Sequence, residues 1–387
     1  MTTQTPDLLV IGLGAVGSAT LLHAAGQGAS VLGIDRHAPP HSHGSTHGES
    51  RITRLAIGEG AEYVPLVRRS HALWRALEAA SGQSLYVACG GLVLARRGLA
   101  SPMHGQASFF DNTVAVARAQ GIAHELLDAA AIALRWPQFG LSGDEQGYFE
   151  PEAGYVRPED CVAAQLALAR ERGAQIRTGE RVLGWQVDAR GLRVDTDRAS
   201  YCPGQAVLAI GAWLPRLLGP AAPPLRVTRQ VLHWFAADTP AAYADARFPI
   251  FIWNWGAAPD EVFYGFPDLG GGVKVATEND TPCDPDQVDR AVRAQESATL
   301  HVRHVAGRLH GVSARVLRTA TCLYTEAPGA RFLVDRLEDG GPIIASACSG
   351  HGFKHSAALG EALAAWTLSG VRPAVLAPFA AAARGAA

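Results

Sequence analysis

The chain has 387 residues, 48% of them hydrophobic and 18% charged, with a formal net charge of −2. That length suits two domains, and the near-neutral balance gives no reason to expect a nucleic-acid or membrane-surface partner. No apolar run reaches the roughly 18 residues of a membrane span, and Met1 to Pro6 carry no basic stretch ahead of an apolar core, so a cytoplasmic protein is expected. The six cysteines (Cys89, Cys161, Cys202, Cys283, Cys322 and Cys348) are scattered without a CxxC pair, which argues against zinc or a disulfide framework and predicts mostly buried thiols.

The first forty residues organise the rest. An apolar strand over 7–11 runs into Gly12-Leu13-Gly14-Ala15-Val16-Gly17, a helix is predicted over 18–25, and a second strand over 30–34 ends on Asp35. In that order the glycines form a dinucleotide-binding fingerprint. Gly12 permits the tight turn, Gly14 lets backbone approach a pyrophosphate, and Gly17 lets helix and strand pack closely. The helix N-terminus offers free N–H groups to phosphate. Asp35, 21 residues after Gly14, is placed for a ribose and disfavours a 2′-phosphate. The motif alone does not separate FAD from NAD. Residues 36–51 form a loop rich in His, Gly, Ser and Thr. Its histidines have no partnering Cys or Asp cluster, so a cofactor-wrapping loop is expected and a metal is not. Arg51 and Arg54 are read as neighbours on one side of a helical turn, suited to a carboxylate or phosphate or else a solvated pair.

Further along, the pattern predicts a helix over 63–80, strand–turn–strand over 85–95, helices over 108–120 and 125–133, and a crossing between domains over 147–156. A helix opens at Pro158 and ends at Gly173. Strand-like runs follow at 175–177, 182–187, 192–196 and 206–213. After Pro223-Pro224 come aromatic strands at 231–235, 250–255 and 262–266. Lys274 sits mid-strand between Val273 and Val275, pointing to solvent or held in a pocket. Residues 286–308 read as one helix with a polar face. Strand-type runs at 332–335 and 343–347 lead to a second strand–glycine–helix junction at Cys348-Ser349-Gly350-His351-Gly352-Phe353-Lys354, with a helix on to 367 and a frayed Ala-rich tail after Pro373.

Taken together, Gly12 to Gly17, His47-Gly48-Glu49-Ser50-Arg51-Ile52-Thr53-Arg54, Ile210-Gly211-Ala212-Trp213, Phe263-Tyr264-Gly265-Phe266-Pro267, Lys274, Cys322-Leu323-Tyr324 and Ser349 to Lys354 resemble the monomeric sarcosine oxidase and N-methyl-tryptophan oxidase family of flavoprotein amine oxidases. The resemblance spans nearly the whole chain and selects FAD over NAD. It implies an α/β fold: a Rossmann-like FAD-binding domain made of residues 1–83, 148–222 and 319–387, and a second, mainly antiparallel β-sheet (α+β) substrate domain made of 84–147 and 223–318. It implies FAD bound covalently through Cys322, a reaction that nearby positive charge would favour by supporting the thiolate. Gly12, Gly14, Gly17, Asp35, Arg36, Ser45, Ser50, Val182, Gly211, Trp213, Gly350, Gly352, Phe353 and Lys354 are the implied FAD contacts. Arg51 matches an arginine beside the flavin, Lys274 the oxygen-activating lysine, and His47 and Tyr324 line the flavin, whereas His351 is a weaker candidate. Arg54 and Lys354 match a clamp for a substrate carboxylate, with Tyr264 nearby. Two positions depart from sarcosine oxidase at the substrate end: Ile57 stands for a tyrosine and Glu278 for a histidine. These keep the amino-acid class and put sarcosine itself in doubt, with Glu278 able to meet a second cationic group if it faces the cavity. The resemblance implies a monomer that oxidises secondary amino acids with O2 and yields hydrogen peroxide. The alternatives are a dehydrogenase using another acceptor, a redox-silent flavoprotein, and an enzyme acting on an amine of a larger molecule.

Overall fold

The computed structural model describes residues 5–278 and 281–381. Its first large sheet has six strands in the order Leu333–Arg336, Ile343–Ser346, Gln205–Leu208, Leu8–Ile11, Val31–Asp35 and Gln175–Thr178, all parallel except the first. Leu8–Ile11 is buried on both faces, as a central parallel strand must be. The helices Ala15–Gly26, Pro158–Glu171, Val64–Ser81 and Ser356–Ser369 pack on one face. The other face is covered by an antiparallel sheet of Val182–Asp188, Gly191–Thr196 and Ser200–Tyr201, whose Leu192, Val194 and Tyr201 join Leu9, Ile11, Leu32 and Ile34 in one apolar cluster.

The second large sheet has eight strands in the order Val312–Glu326, Arg226–Ala237, Val273–Ala276, Val262–Asp268, Ile250–Asn254, Gly91–Arg96, Glu145–Glu150 and Glu125–Asp128. Only the Ile250–Asn254 and Gly91–Arg96 pair is parallel. An aromatic core of Phe139, Phe248, Phe251, Trp253 and Phe263 fills its outer side. A small sheet of Arg51–Thr53, Gly154–Val156 and Tyr86–Val87 joins the two halves. The expected cut points at 147/148 and 318/319 fall inside Glu145–Glu150 and Val312–Glu326, two strands of the eight-stranded sheet.

Several predicted elements differ. The region around 85–95 is no hairpin: Tyr86–Val87 pairs with Gly154–Val156, whereas Gly91–Arg96 enters the large sheet. Residues 125–128 are an edge strand rather than helix, and the helix Ala129–Arg135 starts only where Asp128 caps it by accepting from the Ala131 N–H at 2.8 Å. Of the helix expected over 286–308, only Ala294–Leu300 is α-helical, with a π turn over His301–Val305. The lost turns are drawn off by side chains: Asp286 accepts from Arg36, Trp213 and Arg216, and the carbonyls of Asp289 and Ala291 accept from Arg229. Arg51 and Arg54 lie on an extended strand and its exit, not on a helical turn. The tail after Pro373 continues as the 3₁₀ turn Ala374–Phe379 with Leu376 and Phe379 buried; its last residues, 382–387, lie outside the described ones. Of the cysteines only Cys161 and Cys322 are fully buried, Cys202 is exposed, and all six are free thiols.

Candidate active site

A cavity of about 480 Å³ runs from the glycine turn, between the two large sheets, to the strand of Lys274. At the turn, Gly12 has φ +84°, and a Cβ there would stand 2.6 Å from the Ala209 carbonyl oxygen. A Cβ on Gly17 would stand 1.8 Å from the Gly12 carbonyl oxygen, so Gly17 serves helix–strand packing behind the cavity wall. Gly14 lines the cavity at the N-terminus of helix Ala15–Gly26. Asp35 accepts from the Leu13 and His37 N–H groups, both at 2.8 Å, which aims its carboxylate at the end of the strand. Arg36 pairs with Asp286 at 2.8 Å and lies 5.3 Å over the Trp213 ring. Val182, Gly211, Trp213 and Ser45 complete this end. The second glycine junction arrives opposite: Gly350, Gly352, Phe353 and Lys354 line the cavity, and a Cβ on Gly352 would strike the Ala347 carbonyl oxygen at 1.7 Å.

Deeper in, Lys274 is only 1% exposed. Its Nζ donates to the Gly48 carbonyl at 2.7 Å, the Ser50 carbonyl at 2.7 Å and Ser50 Oγ at 3.1 Å, and the rings of Phe266 and Trp234 lie 4.3 and 5.5 Å away. Three acceptors match the three N–H bonds of an ammonium. Burial, then the Arg51 cation, push the lysine pKa well below its ordinary value, against the pull of Glu49 and Glu159. Glu159 accepts from the Gly48 and Glu49 N–H groups and so fixes the loop that supplies all three of those acceptors. Arg51 donates to the Ser50 and Ser45 carbonyls, and its Nη2 lies 3.4 Å from Cys322 Sγ. Cys322 sits just behind the cavity wall beside Ser45. Tyr264 and Tyr324 face the cavity with their hydroxyls 3.1 Å apart; burial lifts the Tyr264 pKa to about 12 and the Tyr324 pKa well above its ordinary value.

At the other wall, Arg54 and Lys354 converge on a carboxylate that sequence reasoning missed. Glu59 lies 2.7 Å from Arg54 Nη2 and 3.7 Å from Lys354 Nζ. Arg54 also donates to the Ala56 carbonyl, and Lys354 to the His351 carbonyl at 2.8 Å. Burial works against the Glu59 charge, but Arg54 and Lys354 hold its carboxyl well below the usual range; burial in turn lowers Lys354 to about 8. His104, equally unforeseen, bridges Glu59 and Glu278, with Nδ1 3.0 Å from Glu59. Burial alone would lower the His104 pKa; the carboxylates of Glu278 and Glu59 outweigh it and raise it to about 9. The available signals were a glycine-flanked acid five residues after Arg54 and a His-Gly turn, neither specific.

Two predicted residues stand apart. Ile57 is fully buried in the main core and does not line the cavity. His47 lines a separate, more open cleft with Glu49 and Glu159, and burial beside Arg51 lowers its pKa to about 4. Among the described residues no cluster of three or more His, Cys, Asp or Glu could hold a metal, and no helix is long and apolar enough to cross a membrane.

A family model described as FAD dependent oxidoreductase matches residues 7–366. The chain belongs to that family. Among its relatives, a monomeric sarcosine oxidase of Streptomyces avermitilis is 35% identical over 95% of both chains. An N-methyl-L-tryptophan oxidase of Salmonella arizonae is 33% identical over 96% of this chain and 97% of its own. Among solved structures, NikD, an unusual amino acid oxidase of nikkomycin biosynthesis, superposes with a TM-score of 0.85 at 26% identity over 98% of each chain. An L-proline dehydrogenase from P. horikoshii has the same fold, with a TM-score of 0.79 at 20% identity over 97% of this chain and 96% of its own. The protein is therefore an FAD-dependent oxidoreductase whose Rossmann-like sheet faces a mainly antiparallel one. Its residues fit the cofactor: the Gly12 and Gly352 turns leave no room for a side chain, and Asp35, held by the Leu13 and His37 N–H groups, lines the cavity at the end of the second strand.

Proposed function

We propose that the protein is an oxidase of secondary amino acids, N-methylated or cyclic, working as a monomer. The observation that carries this is the convergence of Arg54 and Lys354 on Glu59 inside the cavity that Lys274 also lines. The clamp already holds a carboxylate, the protein's own, and a substrate carboxylate can take its place. The names of the relatives point to the same substrate class.

In this reading FAD supplies the two-electron oxidation of the C–N bond. The six-stranded sheet, with its glycine turns, holds it, and the eight-stranded sheet forms the wall over the substrate. Gly12, Gly14, Asp35, Arg36, Ser45, Val182, Gly211, Trp213, Gly350, Gly352 and Phe353 are its cradle. Arg54 and Lys354 anchor the substrate carboxylate, and Tyr264 and Tyr324 bound the space for the amine and its reacting C–H. The substrate loses two electrons and two protons to become an imine. Water then splits the imine to an aldehyde and a primary amine, or a ring substrate stays cyclic. Oxygen takes up the electrons and protons as hydrogen peroxide, and Lys274 holds its positive charge where negative charge develops on oxygen. Cys322, with Arg51 donating to its sulfur, is the residue for a thioether to the flavin ring system.

The deciding experiment is an anaerobic titration of the yellow protein with sarcosine, N-methyl-tryptophan, pipecolate, proline and their esters. Bleaching by a free acid but not by its ester, with one peroxide formed per turnover in air, is the expected result. Bleaching without peroxide would point to a different electron acceptor. No bleaching by any of these acids would remove the substrate class.

A further inference from the structure

The side chains Arg54, Glu59, His104 and Glu278 form an ordered chain of alternating charge along one wall of the cavity. Arg54 pairs with Glu59 at 2.7 Å, Glu59 with His104 at 3.0 Å, and His104 with Glu278. His104 is brought there by a two-residue turn. Met103 and Gln106 exchange backbone hydrogen bonds at 2.9 Å, and His104 and Gly105 both have positive φ, +47° and +74°. For a non-glycine residue that conformation is uncommon, and here it aims the imidazole inward, leaving its side chain 7% exposed.

The four charges cancel in sum but not in place. The cationic end is Arg54, reinforced by Lys354. The anionic end is Glu278, which lines the cavity with a side chain 28% exposed. His104 occupies Oε1 of Glu278, and among the described residues no donor pairs with Oε2. The Glu278 charge is felt at Lys354, Tyr264 and Tyr324, so it acts inside the cavity rather than at a remote surface. A ligand aligned against such a dipolar wall carries a carboxylate at the Arg54 and Lys354 end and a positive group at the Glu278 end. One carboxylate, Glu59, and one imidazole, His104, separate the two ends, more than the reach from the carboxylate to the amine of one α-amino acid. The positive group therefore belongs to the side chain.

We infer that Glu278, aimed by His104, is a specificity subsite for a cationic side chain, so that the preferred substrates are secondary amino acids with a basic side chain. The inference rests on the reading of Arg54 and Lys354 as the carboxylate clamp. Its test separates binding from oxidation. The flavin spectrum of the holoenzyme is titrated with 6-aminohexanoate and with hexanoate, neither of which has an α-amine to oxidise. We expect at least tenfold tighter binding of the amino acid, compressed to within about twofold in Glu278→Gln. Equal or tighter binding of hexanoate, or a preference that survives in Glu278→Gln, overturns the inference. If that variant does not fold, the same preference is read on the unmodified enzyme from flavin reduction by α-N-methyl-lysine and by α-N-methyl-norleucine, with tenfold or more expected and a ratio near one overturning it. Should neither N-methyl acid reduce the flavin while 6-aminohexanoate keeps its advantage, the oxidase substrate class fails and the cation subsite stands.

Discussion

At the scale of single residues, the cavity places buried cations against few carboxylates, and each pairing makes a prediction. Among the described residues, Lys274 donates to the Gly48–Ser50 loop and lies near two aromatic rings, with no carboxylate in direct contact, and the proposed role in oxygen chemistry rests on that unpaired cation. Lys274→Met should slow reoxidation by air about a hundredfold or more, as loss of several kcal/mol of charge stabilisation demands, and should change anaerobic reduction far less. Stopped-flow measurement of both half-reactions decides, and equal losses would remove the role. For Cys322, acid precipitation is enough: the unmodified protein should keep its yellow colour in the pellet and Cys322→Ser should release it. In the proposed clamp, Glu59 and a substrate carboxylate would compete for Arg54 and Lys354. Glu59→Gln should bind small carboxylates at least tenfold more tightly while melting lower, because a buried ion pair broken on one side costs about 3–5 kcal/mol. The clamp should also titrate. Lys354 has its pKa lowered to about 8, so carboxylate affinity should be full below that pH and fall as pH rises through it, leaving Arg54 alone to hold the ligand.

At the scale of elements, close approach of backbone decides which glycines matter. Gly360 in helix Ser356–Ser369 lies against helix Ala15–Gly26 so tightly that a Cβ would meet Ala19 Cβ at 2.3 Å and the Thr20 nitrogen at 2.6 Å. Gly360→Val should cost about 1–3 kcal/mol of overpacking, visible as a drop of several degrees in thermal unfolding. A neutral outcome would mean that the two helices separate freely. The same level explains the misread elements. A run such as 125–128 has no periodicity strong enough to choose, and pairing with Glu145–Glu150 at the sheet edge chose strand. Residues 286–293 have helix-like composition, but distant arginines and Trp213 capture their polar groups. Both outcomes depend on partners far away in the chain.

At the scale of the whole molecule, the cavity lies between two large sheets, so FAD held there as proposed would contact both of them. Binding only the folded state, FAD present at about a hundred times its dissociation constant should add about 2.7 kcal/mol. In a Cys322→Ser variant, where flavin can be removed and restored, the melting temperature should rise by several degrees on reconstitution. The first two strands of the six-stranded sheet and a dinucleotide site were legible in sequence because strand, Gly12 to Gly17, helix and Asp35 are contiguous: local sterics and helix-end N–H groups define that site within forty residues, whereas FAD rather than NAD came from the family resemblance. That Arg54, Lys274, Cys322, Tyr324 and Lys354 would come to one cavity was expected one by one through family resemblance. Their mutual geometry was not. That Arg51 reaches Cys322, that Glu59 fills the clamp, that His104 ties Glu59 to Glu278, and that Ile57 turns away into the core follow from strand register and from one tight turn. The amino-acid sequence alone therefore determined a dinucleotide turn at the N-terminus, where neighbours in the chain are neighbours in space, and its family resemblance narrowed the dinucleotide to FAD. The charge pattern lining the cavity was decided only by tertiary structure, because its members lie up to 300 positions apart, from Arg54 to Lys354, and acquire their partners only when the two sheets close on one another.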